Sequence, residues 1–283
     1  MVSSGPLRRF GAELKKFRAA AGHTQTTLSE VLGKSQSTIN AWERGRTRPS
    51  VEDIEAIANE LELSPMEDAK LKRLIRESAN PTSSWARYNL SESVRAFVAL
   101  EQEASEVKTY QQMFIPVLLQ DEAYIRALHL DSLPRSEVEL RVKARIRRQQ
   151  QVFNQRSIEI HAVIAESVLE HEIGGASVFA KQLEKLATLV QHNTITLQVL
   201  PKAQSTHPAA VGAFSIMFFG HNELDPPVAF CETALGGQVA TNERDLEFLS
   251  ARFLNISDIA LSPEKTLHVL EKALRKYHRK DKS

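Results

Sequence analysis

A single cysteine in 283 residues, Cys231, excludes an internal disulfide framework and suits a reducing, cytoplasmic compartment. The formal charge is only +1, so no global surplus of either sign points to a polyanionic or polycationic partner. No apolar run approaches the roughly 20 residues that a membrane-spanning helix needs. Val2 to Pro6 leads straight into a charged helical pattern, so neither a span nor a signal peptide is expected. Repeats of solenoid period and low-complexity tracts are lacking as well. Metal-ligand spacing also fails: His171-Glu172 begins a two-histidine zinc motif, but Gly175 stands one helical turn on where the second histidine belongs. No metal and no cofactor are therefore expected. The length fits about two domains, each with its own core.

The stretch from Thr24 to Gly45, TQTTLSEVLGKSQSTINAWERG, carries the most information. Gln25 opens a short helix with Leu28 and Leu32 one turn apart on its apolar face. Ser29 between them is small enough for a second helix to cross closely. Gly33 falls where the chain must turn after a helix, a place for positive φ. Ser35 is a natural N-cap for the next helix, whose Ile39 and Trp42 turn inward. Gln36, Ser37, Asn40 and Ala41 are left facing outward, three of them polar and none acidic. Leu7, Phe10, Leu14 and Phe17 recur at helical spacing before this segment, and Val51, Ile54, Ile57, Ala58 and Leu61 do so after it. Ser50 with Asp53, and Ser64 with Glu67, read as capping boxes. Five short helices are expected over roughly residues 6 to 78.

This pattern resembles the Xre family, the Cro-like and phage-repressor-like helix-turn-helix domains, over residues 7 to 62. The resemblance implies an all-α, five-helix, lambda-repressor-like fold that binds a double-stranded DNA operator. It implies that Gln36, Ser37 and Asn40 read bases and that Gln25 meets a phosphate while bracing the first residue of the recognition helix. Arg18 and Glu43 match the pair that ties the first helix to the end of the recognition helix. Ser29 stands where alanine is usual, and Ala41 where many members carry a longer polar side chain.

Charge is distributed accordingly. Met1 to Arg48 holds nine basic residues against three acidic, and Pro49 to Asn80 four basic against eight acidic. Lys34, Arg44, Arg46 and Arg48 border the outward helix and are expected to hold phosphates, the source of most sequence-independent affinity. One recognition helix reads too few base pairs to be selective, so a homodimer on a two-fold site is expected.

Helical periodicity stops at Ser78 to Leu90, where Pro81, Thr82, Ser83 and Ser84 cluster. A domain at 1–78, a linker at 79–91 and a second domain at 92–283 follow. In the second, Glu92 to Met113 reads as one amphipathic helix, Asp121 to Leu130 as another, and a third begins near Pro134 with Ser136 and Glu139 as its capping box. The period then changes to two. Ser157–Ala165, Ile195–Pro201, Ala213–Phe219 and Val228–Thr233 read as strands, with a helix at Ser177–His192 and Gly236-Gly237 as the candidate start of a short fifth strand. Helices at Asn242–Asn255 and Pro263–His278 close an α+β domain: four to five strands flanked by helices.

The phrases IPVLLQDEAYIRAL, RVKARIRRQQ, VGAFSIMFF and ALSPEKTLHVLEKAL resemble the domain that follows Xre motifs in WhiJ-like actinomycete regulators, over roughly residues 95 to 275. The resemblance implies a transcription regulator often encoded beside a small partner protein, sometimes antitoxin-like, with no established enzymatic activity or cofactor. The residues agree with the last point. No serine stands in the context of a self-cleaving serine-lysine domain, and Cys231 in an apolar strand reads as a small hydrophobe. His161, alternating along a strand, reads as a sheet residue rather than a ligand.

From Arg141 to Arg156 six basic residues occur with no acid between them, and Arg141, Arg145 and Arg148 form a stripe apart from Val142, Ile146, Gln149 and Phe153. A solvated face is the plainer reading. The alternatives are a dock for a small acidic protein partner, together with the loop around His207, or a secondary phosphate contact. A small-molecule sensor and an autoregulating antitoxin remain as further readings of the second domain.

Overall fold

A computed structural model describes residues 5–78, 85, 88, 90, 92–101, 104–130, 132–155, 158–204, 212–219, 226–233 and 237–281. The chain divides into two compact units, one formed by residues 1–103 with 219–226, the other by 104–218 with 227–283.

In the first unit α1 (Gly5–Ala20), α2 (Gln25–Val31), α3 (Gln36–Glu43), α4 (Val51–Glu60) and α5 (Pro65–Glu77) follow the capping signals closely. Thr24, Ser35, Ser50 and Ser64 are the N-caps of α2 to α5, each accepting a backbone N–H three residues on. α2 ends in a Schellman turn: Gly33 takes φ 60°, its N–H donates to Glu30 O, and Lys34 N–H donates to Ser29 O. The same device ends α3, with Gly45 at φ 59° and Arg46 N–H donating to Ala41 O. Phe10, Leu14, Leu28, Ile39, Trp42, Ile54, Ile57 and Leu71 form the core. A sixth helix, α6 (Glu92–Glu101), belongs to this unit.

The second unit is built on a mixed six-stranded sheet: β1 (Glu106–Gln111), β2 (Glu159–Ala165), β3 (Thr196–Leu200), β4 (Phe214–Phe218), β5 (Val228–Cys231) and β6 (Gln238–Ala240), in the order β3-β2-β1-β4-β5-β6. β1, β2 and β3 pair in parallel, and β1-β4, β4-β5 and β5-β6 are antiparallel. Helices α7 (Glu122–His129) and α8 (Arg135–Gln155) join β1 to β2, and α9 (Gly175–Gln191) joins β2 to β3. α9 and α11 (Pro263–Asp281) cover one face, with Phe179, Leu183, Leu186 and Leu270 against Ile160, Ile164, Leu197 and Val199. α10 (Glu243–Ile259) covers the other face, bringing Leu246, Leu249, Phe253 and Ile256 onto Tyr110, Val163, Phe214 and Ile216.

The structure corrects the sequence reading at β1. The helix expected to reach Met113 stops at Glu101, and Glu106–Gln111 is instead the strand paired on both sides. Its polar residues concealed this role: Thr109 and Gln111 are buried, and Thr109 Oγ1 is matched by Ser215 Oγ at 2.8 Å across the ladder. A second correction concerns the Ser136–Glu139 capping box. α8 begins at Arg135, and Glu139 is held instead by the Arg126 fork, Nε to Oε1 at 2.6 Å and Nη2 to Oε2 at 3.1 Å. A bidentate charge-assisted bond outweighs a carboxylate-to-amide cap.

Candidate nucleic-acid interface

α3 is held from behind and open in front. Ile39 and Trp42 are sealed in the core, whereas Gln36 and Ser37 are exposed and Asn40 and Ala41 partly exposed. Ser35 Oγ caps Thr38 N–H and lies 2.7 Å from Ser37 Oγ, fixing the first turn.

Behind this face lies a short polar relay. Arg18 grips Glu43 with two prongs, Nε to Oε1 and Nη2 to Oε2 at 3.3 Å, while its Nη1 donates to His23 O at 2.7 Å. The Glu43 side chain is 3% exposed; its Oε2 also accepts from Gln25 Nε2 at 2.7 Å. Gln25 Oε1 in turn accepts from Asn40 Nδ2 at 3.5 Å. Three helices are thus coupled through one buried carboxylate, and a buried charge with every partner in place is far cheaper than one left bare. The bracing role expected of Gln25 is directed differently: its amide engages Glu43 and Asn40 rather than the first residue of α3.

Sequence reading missed what lets α1 approach α3. Gly11, in the interior of α1, lies so close to the end of α3 that a Cβ there would stand 2.3 Å from Glu43 O and 2.6 Å from Trp42 O. Glycine inside a helix costs about 1 kcal/mol against alanine, and that local cost was the available signal.

Around the exposed face, Arg44, Arg46 and Arg48 are exposed on the chain leaving α3. Lys34 is committed to Asp53 at 2.7 Å. Burial opposes ionisation of Asp53, but bonds from Lys34 and Ser50 outweigh it and hold the carboxyl below its ordinary value. Arg8, counted among the basic residues of this half, is buried beneath the surface, with its guanidinium 4.7 Å from the Phe219 ring centre.

The basic stripe of α8 takes a different form from an open dock. Arg145 is partly buried and donates from Nη1 to Gln120 Oε1 at 2.7 Å. Arg141 and Arg148 flank it, each partly exposed. Gln149, a neighbour on α8, donates to Val117 O at 3.0 Å and Gln120 O at 2.9 Å. Lys185 of α9 reaches Gln120 O at 2.7 Å. His207 and Arg156 lie outside the described residues.

The histidines of the failed zinc motif and of the sheet have ordinary partners. His171 Nδ1 meets Met113 O at 3.1 Å, and Glu172 pairs with Lys280 at 2.5 Å. His161 Nε2 bonds Gln198 Oε1 at 2.7 Å, and its ring meets Phe253 edge-on. Among the described residues no three His, Cys, Asp or Glu side chains converge as a metal ion would require, and no helix is long and apolar enough to cross a membrane. Cys231 is half-buried on β5, and burial pushes its thiol pKa up.

The chain matches two known families. Residues 14–67 match the helix-turn-helix family, and residues 94–272 match a family described as a domain of unknown function, DUF5753. Comparison with curated proteins and with solved structures gives no match. With an Xre-like helix-turn-helix in its first unit, the chain is a DNA-binding transcription regulator; over most of its length it belongs to the DUF5753 family.

Proposed function

We propose that the chain binds a two-fold DNA operator as a homodimer, with Gln36, Ser37 and Asn40 on base edges and Arg44, Arg46 and Arg48 on phosphates. The observation that carries this reading is the exposed polar face of α3 on a helix fixed from behind by the Glu43 relay. Preset amides of Gln and Asn can make paired bonds to adenine edges. Gln25 and Lys34 are proposed as supporting phosphate contacts, Lys34 by leaving or sharing Asp53.

The second unit is proposed to receive the signal that modulates DNA binding. A small protein partner, or an antitoxin-like role with autoregulation, follows from the WhiJ-like resemblance and would use exposed surface. A small molecule is favoured by a specific observation: Arg145 turns inward to Gln120 rather than outward to a partner. No catalytic role is proposed for either unit, and the proposed setting is the cytoplasm.

Mapping the DNA sites occupied in cells tests the core of this reading. Paired half-sites about 34–36 Å apart, one helical turn, are expected, and Asn40→Ala should empty them. Sites without two-fold symmetry would sink the homodimer. Occupancy spread evenly over the genome would sink specific recognition.

A further inference from the structure

The segment Ile115–Gln120 leaves the carboxyl end of β1, the strand at which the sheet order reverses, with β2 and β3 on one side and β4 on the other. In open α/β sheets a crevice forms outside the strand ends at such a switch point. Here it is furnished with polar groups. Gln111 at the end of β1 donates to Glu232 Oε1 at 3.0 Å, just beyond β5. Arg145 stands over the same end. A guanidinium carries five N–H donors. Among the described residues this one donates only to Gln120 Oε1, and no carboxylate lies within ion-pair distance. Glu232 acts on it only at longer range.

Arg141, one turn before Arg145 on α8, and His129, at the end of α7, complete the cluster. The His129 Nε2 is buried and has no hydrogen-bond partner among the described residues. Burial, then Arg145 and Arg141, push its pKa down to about 4, so the imidazole is neutral at pH 7. The guanidinium of Arg145 is itself drawn down to about 10, by burial first and then by Arg148 and Arg141. Cations brought together, with a bare imidazole nitrogen beside them, form an arrangement that an added anion would relieve.

We propose that Arg145, with Arg141 and the His129 imidazole, binds the oxyanion group of a small molecule, a carboxylate or a phosphate. The fork of Arg145 would take two of its oxygens. Glu232 would accept from a donor elsewhere on the same ligand. Gln120 sets the fork's orientation, and Gln149 and Lys185 fix the backbone of Gln120. The inference rests on the second unit taking a small molecule. Operator affinity measured with and without the anion reports on that sensing reading separately from binding itself.

The test uses the full chain and two probes, inorganic phosphate and succinate, each against sodium chloride at matched ionic strength. At least one should give saturable heat of binding and, at tenfold above its Kd, raise the melting temperature of the second unit by about 3–6 °C. Arg145→Gln and Arg141→Gln should each weaken binding at least tenfold, and Arg145→Lys should restore part of it by charge without the fork. Arg275→Gln, an exposed cation of α11, should bind like the parent. A purely structural arginine would show none of this. The proposal is overturned if neither anion acts beyond chloride, or if the Arg141 variant binds unchanged. That variant alters a partly exposed side chain and decides the matter even where Arg145→Gln fails to fold.

Discussion

The two units use polar residues in opposite ways. In the first, the groups proposed to meet bases project outward from a helix set by its own cap, and one carboxylate, Glu43, is buried to lock that helix. In the second, the chemistry-bearing groups turn inward: Gln149 and Gln182 are buried and Arg145 half-buried, converging on the segment that leaves β1. A surface that reads another molecule needs side chains free to be met, whereas a crevice needs them desolvated and aimed. The difference predicts that damage to the first unit acts through its fold or its face separately, while damage to the second changes fold and site together.

The largest break should come from Gly11→Val. With backbone carbonyls 2.3 and 2.6 Å from the new Cβ, relief requires α1 to leave α3, at about 3 kcal/mol or more. Calorimetry of the full chain should show the first unit melting early and the second unchanged; a single shared shift would refute their independence. Glu43→Ala should cost about 3 kcal/mol in the same unit, because it strands the mostly buried Arg18 guanidinium. It should also weaken operator binding, since Gln25 and Asn40 lose their anchor.

Gln149→Leu places the contrast in the second unit. It removes the donor to the part-buried Val117 O and one of the two donors to Gln120 O, which keeps Lys185, and a buried carbonyl deprived of its donor costs about 1–2 kcal/mol. Anion binding at Arg145 should fall with stability, whereas DNA affinity without anion should hold. On the reading face, Gln36→Ala and Asn40→Ala should each lose about 1–3 kcal/mol of discrimination between operator and random DNA without lowering stability. Arg46→Ala should weaken both DNAs alike and reduce the salt slope by about 1. Binding curves at two salt concentrations separate these roles; uniform loss in the Gln36 variant would reverse the assignment.

The smallest effect is one of pH. His129 titrates near 6.5 when unfolded and at about 4 when folded, so between those values the unfolded state holds more protons. Stability of the second unit should therefore fall as pH drops from 6.5 towards 4, by about 1 kcal/mol at pH 5 after allowance for solvent screening. Denaturant midpoints for the parent and His129→Gln at pH 7 and 5 check it; the variant should lose part of the slope.

The first five helices, α1 to α5, were legible because their information is local. Ser35 caps the residue three positions on, Gly33 turns its own helix, and Leu28 meets Ile39 across a few residues of chain. β1 was not legible. EVKTYQ alternates poorly, and what makes it a strand is pairing with Glu159–Ile164 and Phe214–Phe218, 53 and more residues away. Arg141, Arg145 and Arg148 could be read as a stripe from their spacing, but not which way the stripe faced.

Sequence alone thus determined α3, its caps and the residues left on its outer face, since one turn of helix fixes all of them. Tertiary structure alone decided that Gly11 admits α3, that Gln25 answers to Glu43 and Asn40, and that Arg145 bends to Gln120. Those outcomes depend on desolvation and on contacts between distant segments, and residue spacing along the chain encodes neither.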